Sequence, residues 1–317
     1  MIRATTIAAA TTDGWAQSVG LPAAEAEVEG RITRRGGRVV AWAESGAHDG
    51  RPVLRIPGTP SSRFAIRSDS LWSDRGIRMI VTERPGFGAS TWQAGRRFED
   101  HATDLVAILD ELGLDRVPVI AGSGGAPYGL ALAAHYPDRV AALTVVVGAA
   151  PMRPDEAADM IGLNAEGLRL AAAADRAGMV ALLQPVRAAI LRDPLASFRA
   201  VMEMAPASDQ AIMGDPAWQV MAARNLREAI RSGVDGWVDE SMLMFGGWSG
   251  FDPSQITASL TWWHGDRDRN VPLISVHRLL ERFPRARLVE WTESGHLMPY
   301  LLEGEILDEL LRRASPE

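Results

Sequence analysis

An α/β architecture is expected from this chain: a mostly parallel sheet flanked by helices, with an inserted helical cap. Three observations predict it. Short apolar runs alternate with segments of helical period in both the first and the last part of the chain. Residues 151–250 interrupt that alternation with helical patterns only. A Gly-rich turn with a central serine, Ala121-Gly122-Ser123-Gly124-Gly125, stands where an apolar strand must pass directly into a helix.

The elements follow in order. After a polar, Ala-rich leader (residues 1–29), residues 30–34 and 38–43 read as strands around the hairpin turn Arg35-Gly36-Gly37. Residues 52–56 form a short apolar run ending at Pro57-Gly58-Thr59-Pro60, and residues 76–82 a buried strand stopped by Arg84-Pro85-Gly86. From Asp100 the period becomes helical, with Leu105, Ile108, Leu109 and Leu112 on one face and Gly113 as the stop. Residues 117–120 are the apolar strand before Ser123, residues 126–135 a helix that tolerates Pro127 in its first turn, and residues 143–147 the next strand. Helices are expected over 157–176 and 217–232 within the cap. Strand and helix then alternate again through 260–263, 273–282, 287–291 and 303–313. The expected division is a core of residues 1–150 and 251–317, with the cap at 151–250.

Composition narrows the chemistry. The 317 residues, 47% hydrophobic and 23% charged, suit a folded protein of enzyme size. The absence of Cys removes thiol nucleophiles, Fe–S clusters, thiolate zinc sites and disulfides. Every one of the 33 basic residues is Arg, which removes Schiff-base lysines and the phosphate-loop lysine. A net charge of -7 without a cationic cluster argues against nucleic acid as a partner. No run reaches the roughly 18 apolar residues of a membrane span, and residues 1–10 are poorer than a secretory signal, so no membrane partner and a cytoplasmic location are expected. No two His fall at helical ligand spacing with a third ligand nearby, and neither metal nor cofactor is expected.

In the turn 121–125 the central residue is forced into a strained backbone conformation, which lifts the Ser123 hydroxyl out of the sheet, and only small residues fit at Ala121 and Gly125. A tight turn without chemistry and a dinucleotide-binding Gly turn are the alternatives; Pro127 stands where the latter needs its third glycine. A serine hydroxyl needs a neutral imidazole beside it, oriented by a carboxylate. His296 follows the last strand and Asp268 the one before, so both belong to the carboxyl edge of the sheet, as Ser123 does. Asp266 competes with Asp268 for the acid role, with turn capping as its other reading. Of the remaining histidines, His48 reads as a loop residue, His101 as the start of a surface helix, His135 and His277 as helix residues, and His264 as packing in the acid turn. The N–H groups of Gly124 and Thr59 are the candidate oxyanion donors.

With these motifs in this order the chain resembles the α/β-hydrolase family over about residues 30–150 and 250–317. The resemblance is carried by residues 57–60, Arg84-Pro85-Gly86-Phe87-Gly88-Ala89-Ser90, Gly122-Ser123-Gly124-Gly125, residues 265–272 and Gly295-His296. It implies a serine esterase-like hydrolase with Ser123, Asp268 and His296 as triad and an acyl-enzyme intermediate. Esters, lactones and thioesters would all suit. Non-hydrolytic relatives, whether acyltransferases, lyases or ligand-binding proteins, stay open. Pro57 stands where the family commonly has His, and Ala121 where the turn usually begins with Gly; Ser123 itself argues against the dehalogenase and epoxide-hydrolase branches, which carry Asp there.

Nine of the twelve Met lie between Met152 and Met244. With Trp218, Trp237 and Trp248 they suggest an adaptable apolar pocket over Ser123, for which Trp218, Met242, Met244 and Trp248 are the candidate lining residues. The expected partner is a small apolar acyl compound. Oligomeric state is not legible in the sequence.

Overall fold

The computed structural model describes residues 28–67, 69–246, 248 and 252–315. The Ala-rich leader up to residue 27 and much of the expected cap–core boundary at 249–251 lie outside them. Eight strands form one sheet in the order β1-β2-β4-β3-β5-β6-β7-β8, where β1 is Val28–Thr33, β2 Val39–Gly46, β3 Arg51–Ile56, β4 Ile77–Thr82, β5 Val117–Gly122, β6 Val140–Val146, β7 Ser259–Gly265 and β8 Arg287–Trp291. The first two are an antiparallel hairpin, β2 pairs antiparallel with β4, and every later pairing is parallel. Gly36 and Gly37 supply the positive φ angles that the hairpin turn requires.

The parallel strands are apolar on both faces because both are covered. Leu54, Ile56, Ile80, Val119, Ala121, Leu143 and Val145 point to one side, against α1 (Phe98–Glu111) and α2 (Ala126–His135). Val53, Met79, Val81, Ile120, Ala142 and Val146 point to the other, against Ile306, Leu307 and Leu310 of the last helix.

Between β6 and β7 the chain is helical, as expected: α3 (Gly162–Ala172), α4 (Arg176–Arg192), α5 (Pro194–Val201), α6 (Ala207–Met213), α7 (Pro216–Ala229) and α8 (Asp235–Phe245). After β7 come α9 (Leu273–Leu280) and, following β8, α10 (Pro299–Arg313). The single helix expected over 157–176 is instead three pieces. A short 3-10 turn ends at Asp159, and the extended Ile161 donates its N–H to the Arg269 carbonyl in the loop after β7. At the far end Ala174 takes φ 53, and Asp175 then caps α4 through the Gly178 N–H at 2.8 Å. A tertiary contact has overridden a continuous helical pattern.

Candidate active site

Parallel pairing brings the chemistry to one edge. Ile56 pairs with Ala121, Val146 with Trp263 and Gly265 with Trp291, so the turns that follow β3, β5, β7 and β8 all emerge at the carboxyl end of the sheet. Ser123 sits immediately after β5 with φ 46, a left-handed conformation that costs a non-Gly residue on the order of 1 kcal/mol. Gly125 is small for a specific reason: a Cβ there would lie 2.4 Å from the Ile56 carbonyl oxygen. The serine turn is thereby seated directly on the end of β3.

His296 Nε2 lies 2.9 Å from Ser123 Oγ, and its Nδ1 lies 2.7 Å from Asp268 Oδ2. Asp268 is buried, and its other oxygen accepts the Asn270 and Val271 N–H groups at 2.8 and 3.0 Å. Burial works to raise its pKa; the facing His296, then His264 and the Val271 N–H, outweigh it and hold the carboxyl below the usual range. An ionised Asp268 keeps the imidazole proton on Nδ1 and leaves Nε2 to accept from Ser123. Burial likewise disfavours the imidazolium, yet Asp268 and, beyond it, Asp209 raise the His296 pKa above the ordinary histidine value. Asp266 takes no part in this chain; it accepts the Ser294 N–H at 3.2 Å and remains exposed.

The turn 57–60 borders the serine. A Cβ on Gly58 would stand 3.1 Å from Ser123 Cβ, and one on Gly124 would stand 2.1 Å from Thr59 Oγ1, so Thr59 and Gly124 face each other across the serine turn. What holds this turn is a buried polar cluster absent from the sequence reading. Arg84 donates to the carbonyls of Pro57 and Gly58, the latter at 2.6 Å, and to Thr59 Oγ1 at 3.0 Å, while Thr59 donates to Glu240 Oε1. Glu240, on α8, also accepts from Arg84 Nε at 2.8 Å, from Arg96 at 3.0 Å and from the Tyr128 hydroxyl at 3.0 Å. Burial opposes its charge, but Arg84 and Arg96 prevail and lower its pKa. A sequence signal for Glu240 existed: it lies three residues after Trp237 and four before Met244, a charge on an otherwise apolar helical stripe.

An apolar cavity of about 140 Å³ opens onto Ser123 and His296. Met152, Met179, Leu183, Phe198, Met202, Trp237, Met244 and Phe245 are among its walls. Among the described residues His296 is the sole ionisable side chain on the lining. Of the four pocket residues expected from sequence, Met244 lines it. Met242 does not: Trp237, Ser241 and Met244 form the cavity-facing stripe of α8, and two residues from Met244 means a rotation of about 200°. Trp218 packs on Phe198 in a separate apolar cluster among the helices between β6 and β7, with ring centroids 5.2 Å apart, and Trp248 stacks edge-on against Phe98 at 5.9 Å. His101, expected at the surface, is wholly buried edge-on against Tyr128. Its position, three residues after Phe98 and four before Leu105, places it on the buried stripe of α1.

Comparison with known proteins decides the family. A family model described as the alpha/beta hydrolase fold matches residues 51–301, well over half of the chain. The chain belongs to the α/β-hydrolase family. Its expected fold class is thus established, as is the eight-stranded, mostly parallel sheet that defines it. An uncharacterized hydrolase, YcgS, of Bacillus subtilis is 33% identical over 30% of this chain and 34% of its own length. A proline iminopeptidase of Neisseria gonorrhoeae is 33% identical over 38% of this chain and 39% of its own. The matched region thus spans little more than a third of these curated relatives. Among solved structures, an alpha/beta hydrolase fold protein from Nakamurella multipartita superposes with TM-score 0.60 at 24% identity, covering 90% of this chain and all of that one. An esterase from Exiguobacterium antarcticum gives TM-score 0.62 at 17% identity over 90% and 98%. At such identities the likeness speaks for the fold alone. Among the described residues no helix is long and apolar enough to cross a membrane, and no group of three or more acidic or His side chains could hold a metal ion.

Proposed function

We propose that this α/β hydrolase cleaves a neutral ester, thioester or lactone of an apolar acid through an acyl-serine intermediate. The observation that carries the proposal is the continuous Ser123–His296–Asp268 hydrogen-bond chain opening onto a cavity whose other described walls are uncharged. In this reading Ser123 Oγ attacks the acyl carbon while His296 Nε2 takes its proton. The N–H groups of Thr59 and Gly124 stabilise the oxyanion. His296 then returns the proton to the leaving alcohol or thiol oxygen or sulfur, and a water deprotonated by His296 releases the acid and frees Ser123. A substrate carboxylate would find no Arg on the described lining, and a substrate ammonium no Asp or Glu, so a neutral acyl group is the favoured occupant.

The cavity also suggests a length. Met179, Leu183, Val186 and Ile190 form one stripe of α4, and the eleven residue steps from Met179 to Ile190 correspond to about 16 Å at 1.5 Å per residue. With p-nitrophenyl esters from acetate to laurate, kcat/KM is expected to rise by up to about fourfold per added methylene until the slot is filled, because each buried methylene contributes about 0.8 kcal/mol. Val186→Phe should penalise the longest ester relative to acetate by roughly tenfold. A fluorophosphonate should label Ser123 covalently; tight ligand binding without labelling or turnover would replace the hydrolase reading with a receptor-like one.

The raised His296 pKa fixes the sign of the pH dependence. The base must be neutral, so kcat/KM should increase as pH rises through a midpoint above about 6.5, the ordinary histidine value. A rate profile from pH 5 to 9 checks this, and a midpoint below that value would contradict it.

A further inference from the structure

The loop that carries His296 is tied to the cap by a buried carboxylate that stands outside the triad. Asp209, on α6, is fully buried. Its Oδ2 accepts the His296 N–H and its Oδ1 the Leu297 N–H, each at 2.9 Å. The neighbouring Ser208 Oγ accepts the Gly295 N–H at 3.1 Å. Three consecutive backbone donors of the histidine loop are therefore satisfied by two adjacent side chains of one cap helix. Gly295 makes room for this: a Cβ there would lie 2.4 Å from Asp209 Oδ2.

We infer that Asp209 is a positioning residue for acyl transfer, a cap-borne carboxylate that sets the depth and angle of His296 and joins Asp268 in supporting the charge its ring acquires. This rests on the hydrolase reading proposed above. The physical argument has two parts. A main-chain N–H pair held by one carboxylate leaves the ring's own Cα little freedom, and displacement of a catalytic group by about 1 Å can cost on the order of a hundredfold in rate. The second part is electrostatic. The charged or titratable groups facing His296 are Asp268 from the loop after β7, Asp209 from α6 and His264 at the end of β7, whose Nε2 lies 3.4 Å from Asp268 Oδ2. Burial disfavours the charge on both His296 and Asp209, and the ionised Asp209 acts on His296 in the same direction as Asp268.

The cap is then a part of the reacting apparatus as well as a lid on the substrate. It reaches the histidine loop through Asp209 and the turn 57–60 through Glu240. Seating of the cap and alignment of the base become one event.

Asp209→Asn keeps the shape, removes the charge and turns one amide N–H against a backbone N–H. In the full-length enzyme we expect kcat for a p-nitrophenyl ester to fall by about ten- to a hundredfold with KM changed less than threefold. The acid limb of the kcat/KM profile should move to lower pH, and the His296 imidazole titration, followed by 15N NMR and assigned by its loss in His296→Asn, should move the same way. Ser208→Ala removes the Gly295 acceptor without altering charge, and should lower kcat severalfold while leaving the acid limb in place. An unmoved imidazole midpoint in Asp209→Asn would overturn the inference. Should that variant not fold, Ser208→Ala decides, and unchanged kcat there overturns it. The imidazole titration needs no substrate, so a wild type that cleaves no ester would count against the hydrolase reading while the titration still judges Asp209.

Discussion

In Ser123→Ala, kcat for p-nitrophenyl ester hydrolysis is expected to fall by about 10⁴-fold or more, with the melting temperature nearly unchanged. The size follows from the absence of a substitute on the same imidazole. Ser241 also lines the cavity, but His296 Nε2 is bonded to Ser123 Oγ, and the Thr59 hydroxyl is committed to Glu240. Removing a nucleophile from such a unit typically leaves only the contribution of oxyanion stabilisation and binding, about 10³–10⁴ over water. The stability expectation is separate. Alanine at a φ of 46 bears the same backbone strain as serine, so the variant gains nothing from relief and loses one half-exposed hydrogen bond. His296→Ala should fall comparably, and the double variant should fall no further, because the two residues act as one unit. Additive losses would mean that Ser123 and His296 work in different steps, which would sink the acyl-serine mechanism.

The three residues of this chain were legible in the sequence because each is fixed by a local rule. Ser123 stands in a run of small residues between an apolar strand and a helix, a pattern visible without knowing that the end of β3 and Thr59 are what crowd Gly124 and Gly125, and Asp268 and His296 follow strands whose apolar runs end visibly at Gly265 and Trp291. Parallel pairing does the rest, since it delivers the ends of β5, β7 and β8 to one edge. The helices between β6 and β7 obey no such rule. Which face of α8 meets the cavity depends on how that helix docks, and a choice between Met242 and Met244 turns on a rotation that composition does not record. Asp209 lies in a seven-residue helix, and its partners are backbone N–H groups that carry no side-chain signature. The helix expected over 157–176 failed for the same reason: Ile161 leaves its helix to bond a carbonyl more than a hundred residues away. His101 differs, for its place on the apolar stripe of α1, three residues after Phe98 and four before Leu105, was available in the sequence.

The second large effect concerns stability and the turn 57–60 together. Glu240→Gln should destabilise the protein by about 3–5 kcal/mol, because Arg84 and Arg96 are both buried and would lose the carboxylate that neutralises them. At about 2 °C per kcal/mol for a chain of this size, the melting temperature should drop by roughly 6–10 °C. The lowered pKa of Glu240 gives the same pair a pH signature. Its stabilisation is fully present above the unfolded carboxyl pKa and is lost as pH falls through the depressed folded value, so the wild type should lose its advantage over the variant only in acid. Activity should respond as well, since Arg84 holds the Pro57 and Gly58 carbonyls and Glu240 holds both Arg84 and Thr59. In the proposed mechanism a turn released from that grip places the Thr59 N–H less accurately, and loss of one oxyanion donor costs about 10²–10³ in kcat. Thermal melts at pH 7 and pH 4 and ester turnover below the variant's melting point test both halves. A variant as stable as wild type would mean that the two guanidinium groups find another partner or water, and α8 would then be tied to the turn by packing alone.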